Sequence, residues 1–339
     1  MIQLTKFAAL ALIGVIAHQS AVRQAKPAAS VDVKLTLGQP IQVGPITIVP
    51  IESKAPLARD EYLTLAEAST LGVVEIVEIP GQEEVNSLEV RNHAKLPILL
   101  FAGELLLGGK QDRIVAKDSI VPGMQQRNVP VFCVEHGRWD GKPVFQSGDT
   151  LVSSRVRNVT LSSASQVQVW DSVAASNKAV AAAPATGTFQ GTLNAPKTKA
   201  VSTKLFAALS AKFATTPRTV GVICCIGGKI ESADIFANAD LFRHSESKLF
   251  HSYALDASLA TDAKSIPADR KACETFLRQI VSARRENTAR SKDGVSFAVH
   301  AGAMEGFESG RASFKGGVGG GAGFGHGTYI PNQAKGGGN

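Results

Sequence analysis

Between Leu96 and Trp139 the chain reads LPILLFAGELLLGGKQDRIVAKDSIVPGMQQRNVPVFCVEHGRW, and two apolar runs within it restrict the folds open to the whole. Pro97 to Phe101 and Val129 to Val134 are short, continuously apolar and bounded by turn residues, the pattern of strands buried on both faces. Each run is followed at once by charge. The charged residues therefore belong at strand ends, where Glu104, Lys110, Gln111, Arg113, Glu135 and Arg138, with Trp139, are placed to converge at one edge of a sheet.

That block supports two chemistries besides a purely structural one. Lys110, Gln111, Arg113 and Arg138 form an anion site if the cations face a ligand, arginine giving bidentate contacts to phosphate or carboxylate while Trp139 stacks on a ring. Glu104 and Glu135 form a hydrolytic acid/base pair if their surroundings separate their pKa values. In the structural alternative the same carboxylates neutralise Lys110, Arg113 and Arg138 in a network. A phosphate-binding P-loop is excluded. In GELLLGGK the spacing from Gly103 to Lys110 is one residue too long, Gln111 stands where a Ser or Thr must reach magnesium, and three leucines fill the loop.

Around the block, turn residues divide the chain into short elements. Val31 to Ile51 gives strands separated by Gly38, Pro40, Gly44 and Pro45. Thr64 and Glu67 form a capping pair for a helix over 63–71. Strands follow at 73–79 and 88–90. Residues 149–159 read as polar and turn-rich, and helices are predicted over 167–183 and 201–213. Gly227-Gly228 sits between two apolar runs as a hairpin turn, Asn238 caps a further helix, and Pro267 suits the first turn of a last helix reaching about Arg285. A strand at 295–299 follows, with 303–314 as its partner. The fold class is α+β: one domain with an N-terminal antiparallel β part and a C-terminal helical and β-hairpin part.

Several of these blocks resemble one bacterial family. Gly103-Glu104 with Gly109-Lys110-Gln111 and Arg113, Val121-Pro122, Cys133-Val134-Glu135 with Gly137-Arg138-Trp139, Val169-Trp170-Asp171, Gly221 to Asp234, and Ser252 to Asp256 carry the resemblance. It is to the domain family named for its association with ADP-ribosylglycohydrolase, rhodanese and phosphatase proteins. The family has no established reaction, so the resemblance implies a domain and not an activity. His136 and the glycine-rich C-terminus depart from the family's pattern.

Composition narrows the class. Hydrophobic residues make up 44% and charged residues 19%, which is globular. The formal charge of +7 suits an anionic partner, but no basic stripe interleaved with aromatics points to nucleic acid. No long apolar span follows the N-terminus. Residues 1–25, with Lys6 ahead of an apolar run from Phe7 to Ala17, have the layout of a signal peptide, so a periplasmic or secreted location is expected. The domain then spans 31–314, and 315–339 reads as a disordered glycine-rich tail. Four cysteines are no disulfide framework, and Cys273 falls on an apolar helical stripe as a small hydrophobe. No metal spacing or cofactor motif is present. The expected function is binding of a small anion, of nucleotide or ADP-ribose type, with a Glu104/Glu135 hydrolase and a structural envelope protein as alternatives.

Overall fold

Two glycines make a tight corner of the fold. Gly227 and Gly228 adopt positive φ, 58° and 82°, a region open to a residue without a Cβ. They join strands Thr219–Ile226 and Lys229–Phe236 as the sequence predicts. The first strand is buried along its whole length, so both of its edges need partners. The free edge is taken by strand Ile46–Glu52 from the start of the domain.

A computed structural model of the chain describes residues 34–79, 86–162, 165–260, 262–318 and 322–331. The expected signal peptide lies outside the described residues. These described residues form one compact unit, of α+β class with mostly antiparallel strands.

The largest sheet has nine strands. Its order is Thr36–Leu37, Ile46–Glu52, Thr219–Ile226, Lys229–Phe236, Phe324–Pro331, Met304–Gly310, Val295–Ala301 and Arg284–Arg290, with Ile41–Val43 also on Ile46–Glu52. A six-stranded sheet runs Phe145–Leu151, Glu104–Gly108, Arg113–Val115, Gln126–Cys133, Ser87–Asn92, Val74–Glu78. A small third sheet joins Ser119–Val121, Ile98–Leu100 and Leu63–Thr64. The apolar runs 97–101 and 129–134 thus lie in different sheets, and Glu104 and Arg113 of the charged block sit in strands of the six-stranded one.

Helices cover the sheets. Thr64 and Glu67 form the predicted capping box on Leu65–Thr70, and Asn238 caps the long helix Ala239–Leu259. Residues 149–159 are not a turn region. Strand Phe145–Leu151 leads into helix Ser154–Leu161, whose first turn is capped from afar: Asp256 accepts from the Ser154 amide at 2.9 Å. A cap supplied by another helix leaves no local signature. The last helix is Arg270–Ser282, with Asp269 as its N-cap, so Pro267 precedes it, and Arg284–Arg290 is a strand.

The glycine-rich tail requires a larger correction. Phe324–Pro331 is an interior strand of the nine-stranded sheet, paired on one side with Lys229–Phe236 and on the other with Met304–Gly310. Phe314, Phe324 and Tyr329 belong to the main core. The glycines assist: a Cβ on Gly327 would lie 2.4 Å from the Tyr329 hydroxyl. Glycine content suggested chain entropy, but Phe324, Tyr329 and the sheet pairing supply the burial that outweighs it. Ending the chain at Lys315 should therefore split the sheet and abolish the cooperative urea transition. Phe324→Ala should lower unfolding free energy by about 3–5 kcal/mol.

Candidate functional site

The charged block folds into two separate networks. Glu104 is fully buried, and its Oε2 accepts from the Phe101 amide at 2.9 Å. Its Oε1 meets Lys248 Nζ at 2.5 Å, and Lys248 also donates to Ser147 Oγ at 2.8 Å. This pair ties the six-stranded sheet to the long helix.

Glu135 has a different set of partners. Its Oε1 accepts from Thr186 Oγ1 at 2.6 Å, and its Oε2 accepts from the Asp112 amide at 3.1 Å and Arg138 Nε at 3.0 Å. Burial would raise its pKa, but the hydrogen bonds from Arg138 and Thr186 outweigh burial and hold the carboxyl low. Asp112, missed by the sequence reading, takes Arg138 Nη2 at 3.2 Å and Gln190 Nε2 at 2.5 Å. Arg138 Nη1 is spent on the carbonyls of Gly109 and Asp140. Glu104 and Glu135 share no partner and do not form a carboxylate pair.

The expected anion-binding residues are likewise divided. Gln111 is buried and donates to the His136 carbonyl at 3.1 Å. Arg113 is buried beside it, donating to the Gln111 carbonyl at 2.8 Å, and burial lowers its pKa. Lys110 is exposed, 3.8 Å from Glu78, and Trp139 is exposed. Lys110, Arg113 and Arg138 therefore do not line one concavity: one is at the surface, one is buried and one is saturated. Arg138→Ala should cost about 3 kcal/mol, because it leaves buried Glu135 and Asp112 uncompensated, whereas Lys110→Ala should stay within about 0.5 kcal/mol in urea unfolding.

A third network escaped the sequence reading altogether. Arg157 Nη2 donates to Asp234 Oδ1 at 2.7 Å and to Thr328 Oγ1 at 2.5 Å. Tyr253 OH donates to Asp234 Oδ2 at 2.7 Å. His326 Nδ1 lies 2.7 Å from Asp118 Oδ2, which also accepts from Ser309 Oγ at 2.9 Å. His326 Nε2 is 3.3 Å from Asp234 Oδ1, outside hydrogen-bond geometry but within close Coulomb range. These residues are drawn from most of the chain's length, and no spacing rule links them.

Burial would lower the His326 pKa, yet Asp118 and Asp234 raise it. Burial would raise both aspartates, yet the facing cations hold them down. The imidazolium thus stabilises the fold fully below its unfolded value of about 6.5, and that contribution is lost as pH rises through the higher folded value. The aspartates contribute above about 3.9 and lose it as pH falls through their depressed folded values. His326→Gln should lower stability near pH 6 and flatten its decline toward about pH 9, read from urea midpoints across the range.

Two concavities adjoin these networks. A cleft of about 430 Å³ lies between strands Ser119–Val121 and Gln126–Cys133 and the hairpin around Ser291–Gly294, with Asp118 and Ser309 in its lining. Its basic side chains are Lys117, Arg127, Arg290 and Lys292, and its acidic ones are Asp118 and Asp293. Arg127 Nε pairs with Asp293 at 2.9 Å. The second is a groove of about 820 Å³ along helix Gln166–Ala179. Trp170 lines it with its ring edge-on to His136 at 4.5 Å, and its indole Nε1 has no partner among the described residues. Asp171 and Lys178 both line it, one acidic and one basic. No group of three His, Cys, Asp or Glu among the described residues is placed to hold a metal, and no helix among them is long and apolar enough to cross a membrane.

The family described as the ARG and Rhodanese-Phosphatase-superfamily-associated Protein domain matches residues 34–319. The chain belongs to this family. The match includes the charged block, the groove and the cleft, and ends before the Phe324–Pro331 strand. No curated protein and no solved structure matches the chain.

Proposed function

We propose that this ARG and Rhodanese-Phosphatase-associated domain binds a small anionic molecule in the cleft beside Asp118. The observation that carries the reading is uncompensated positive charge in a concavity. Both acidic groups there are engaged, Asp293 by Arg127 and Asp118 by His326. Lys117, Arg290 and Lys292 have no carboxylate partner within ion-pair distance among the described residues. Cationic side chains gathered around a concavity concentrate anions and bind phosphate or carboxylate directly. The volume suits a phosphorylated metabolite or part of a nucleotide, and an ADP-ribose-type ligand falls in that class. The groove beside Trp170 is a weaker anion site, because Asp171 opposes Lys178.

The hydrolase reading has less support, since Glu104 and Glu135 are tied up separately and neither lines the cleft. We place the binding in the periplasm or outside the cell on the composition of residues 1–25.

A thermal-shift screen with phosphate, nucleotides, ADP-ribose and sugar phosphates finds the ligand, because a molecule that binds only the folded state raises its stability. Lys117→Glu, Arg290→Glu and Lys292→Glu, combined, should weaken the best ligand at least about tenfold, or 1.4 kcal/mol. The unliganded melting temperature should be nearly unchanged, because all three side chains are exposed. Equal affinity in the triple variant sinks the cleft reading, and a screen with no hit leaves the structural envelope protein as the better account.

A further inference from the structure

Helix Arg270–Ser282 packs against the main core through Cys273, Phe276, Leu277 and Ile280. Cys273 is fully buried, and its Sγ lies 3.9 Å from the Sγ of Cys225 near the end of strand Thr219–Ile226. That is sulfur–sulfur contact. A disulfide requires about 2.05 Å, so the two sulfurs must close by rotation about their side-chain bonds before they can join.

We propose that Cys225 and Cys273 form a reversible disulfide by exchange with a low-molecular-weight disulfide of the glutathione class. The pair is chemically asymmetric. Cys273 sits in the first turns of a helix, where the dipole favours a thiolate, and its hydrogen-bond contact with Cys225, in which either sulfur can donate, lowers its pKa. The same hydrogen bond, together with burial, raises the Cys225 thiol. Cys273 is therefore the attacking sulfur. Its thiolate attacks one sulfur of glutathione disulfide, that bond breaks, and one glutathione leaves as thiolate and takes up a proton. Cys225 then loses its proton and attacks Cys273 in the mixed disulfide, releasing the second glutathione. Two protein thiols are oxidised and one small disulfide is reduced to two thiols.

Both sulfurs are buried, so a reagent reaches them when helix Arg270–Ser282 opens locally. Residues 262–269, which lead into it, form no helix or strand, and segments with little regular structure at one end open at lower free energy than the core. Cys133 and Cys224, also buried, have no such sulfur neighbour among the described residues. In an oxidising compartment the bond would join the helix covalently to the central hairpin. It would raise the melting temperature by restricting the unfolded chain.

The test uses the full chain, purified under reductant and moved into a glutathione redox buffer, then denatured, alkylated and mapped by mass spectrometry. Of the four cysteines, two should resist alkylation. The monomer mass should fall by about 2 Da, with peptides carrying Cys225 and Cys273 joined. Cys133→Ser with Cys224→Ser should keep the link, which separates Cys224 from its neighbour in the same peptide. Cys225→Ser and Cys273→Ser should each abolish it. Four alkylatable thiols in the treated wild-type chain, a link through Cys133 or Cys224, or a link between two chains overturns the proposal.

Discussion

Four charges buried together hold this fold in register. Arg157 and His326 face Asp234 and Asp118, two cations against two anions, with Tyr253, Thr328 and Ser309 completing the hydrogen bonds. A lone buried charge is strongly unfavourable, so each member keeps its charge only while the others stay in place. The members come from helix Ser154–Leu161, the hairpin strand Lys229–Phe236, the last strand and the turn after Arg113–Val115. Those elements must dock together or not at all. The network also anchors the last strand between its neighbours, and so keeps the nine-stranded sheet continuous.

The Glu135–Asp112–Arg138 cluster does similar work at the edge of the other large sheet. Arg138 bridges two carboxylates and the carbonyls of Gly108, Gly109 and Asp140, which holds the turn after Glu104–Gly108 against the residues following Gln126–Cys133. A guanidinium with all its donors engaged has no directional bond left for a ligand. The difference between bracing and binding therefore lies in free donors and not in residue type. By that criterion Lys117, Arg290 and Lys292 differ from Arg138: they border a concavity and form no ion pair among the described residues.

The cleft and the buried network are in contact through Asp118. Its carboxylate accepts from His326, Ser309 and the Ala102 amide, so it is satisfied from behind and adds no unpaired negative charge to the cleft. With Asp118 held by His326, none of the surrounding Lys117, Arg290 and Lys292 side chains pairs with it.

The sequence by itself determined the local structure: the hairpin at Gly227-Gly228, the caps at Thr64 and Asn238, the buried strand runs and the family. Turn chemistry, capping and periodicity act within a few residues and are written there. The same locality explains the errors. Asp256 caps helix Ser154–Leu161 from another helix, and the glycine-rich C-terminus becomes an interior strand because distant partners bury its aromatics. Which charges brace and which remain open was decided only by tertiary structure. Lys110, Arg113 and Arg138 are of like character in the sequence, yet packing leaves one in solvent, buries one among carbonyls and closes one between two carboxylates. Desolvation and pairing depend on neighbours that the chain brings together from far apart.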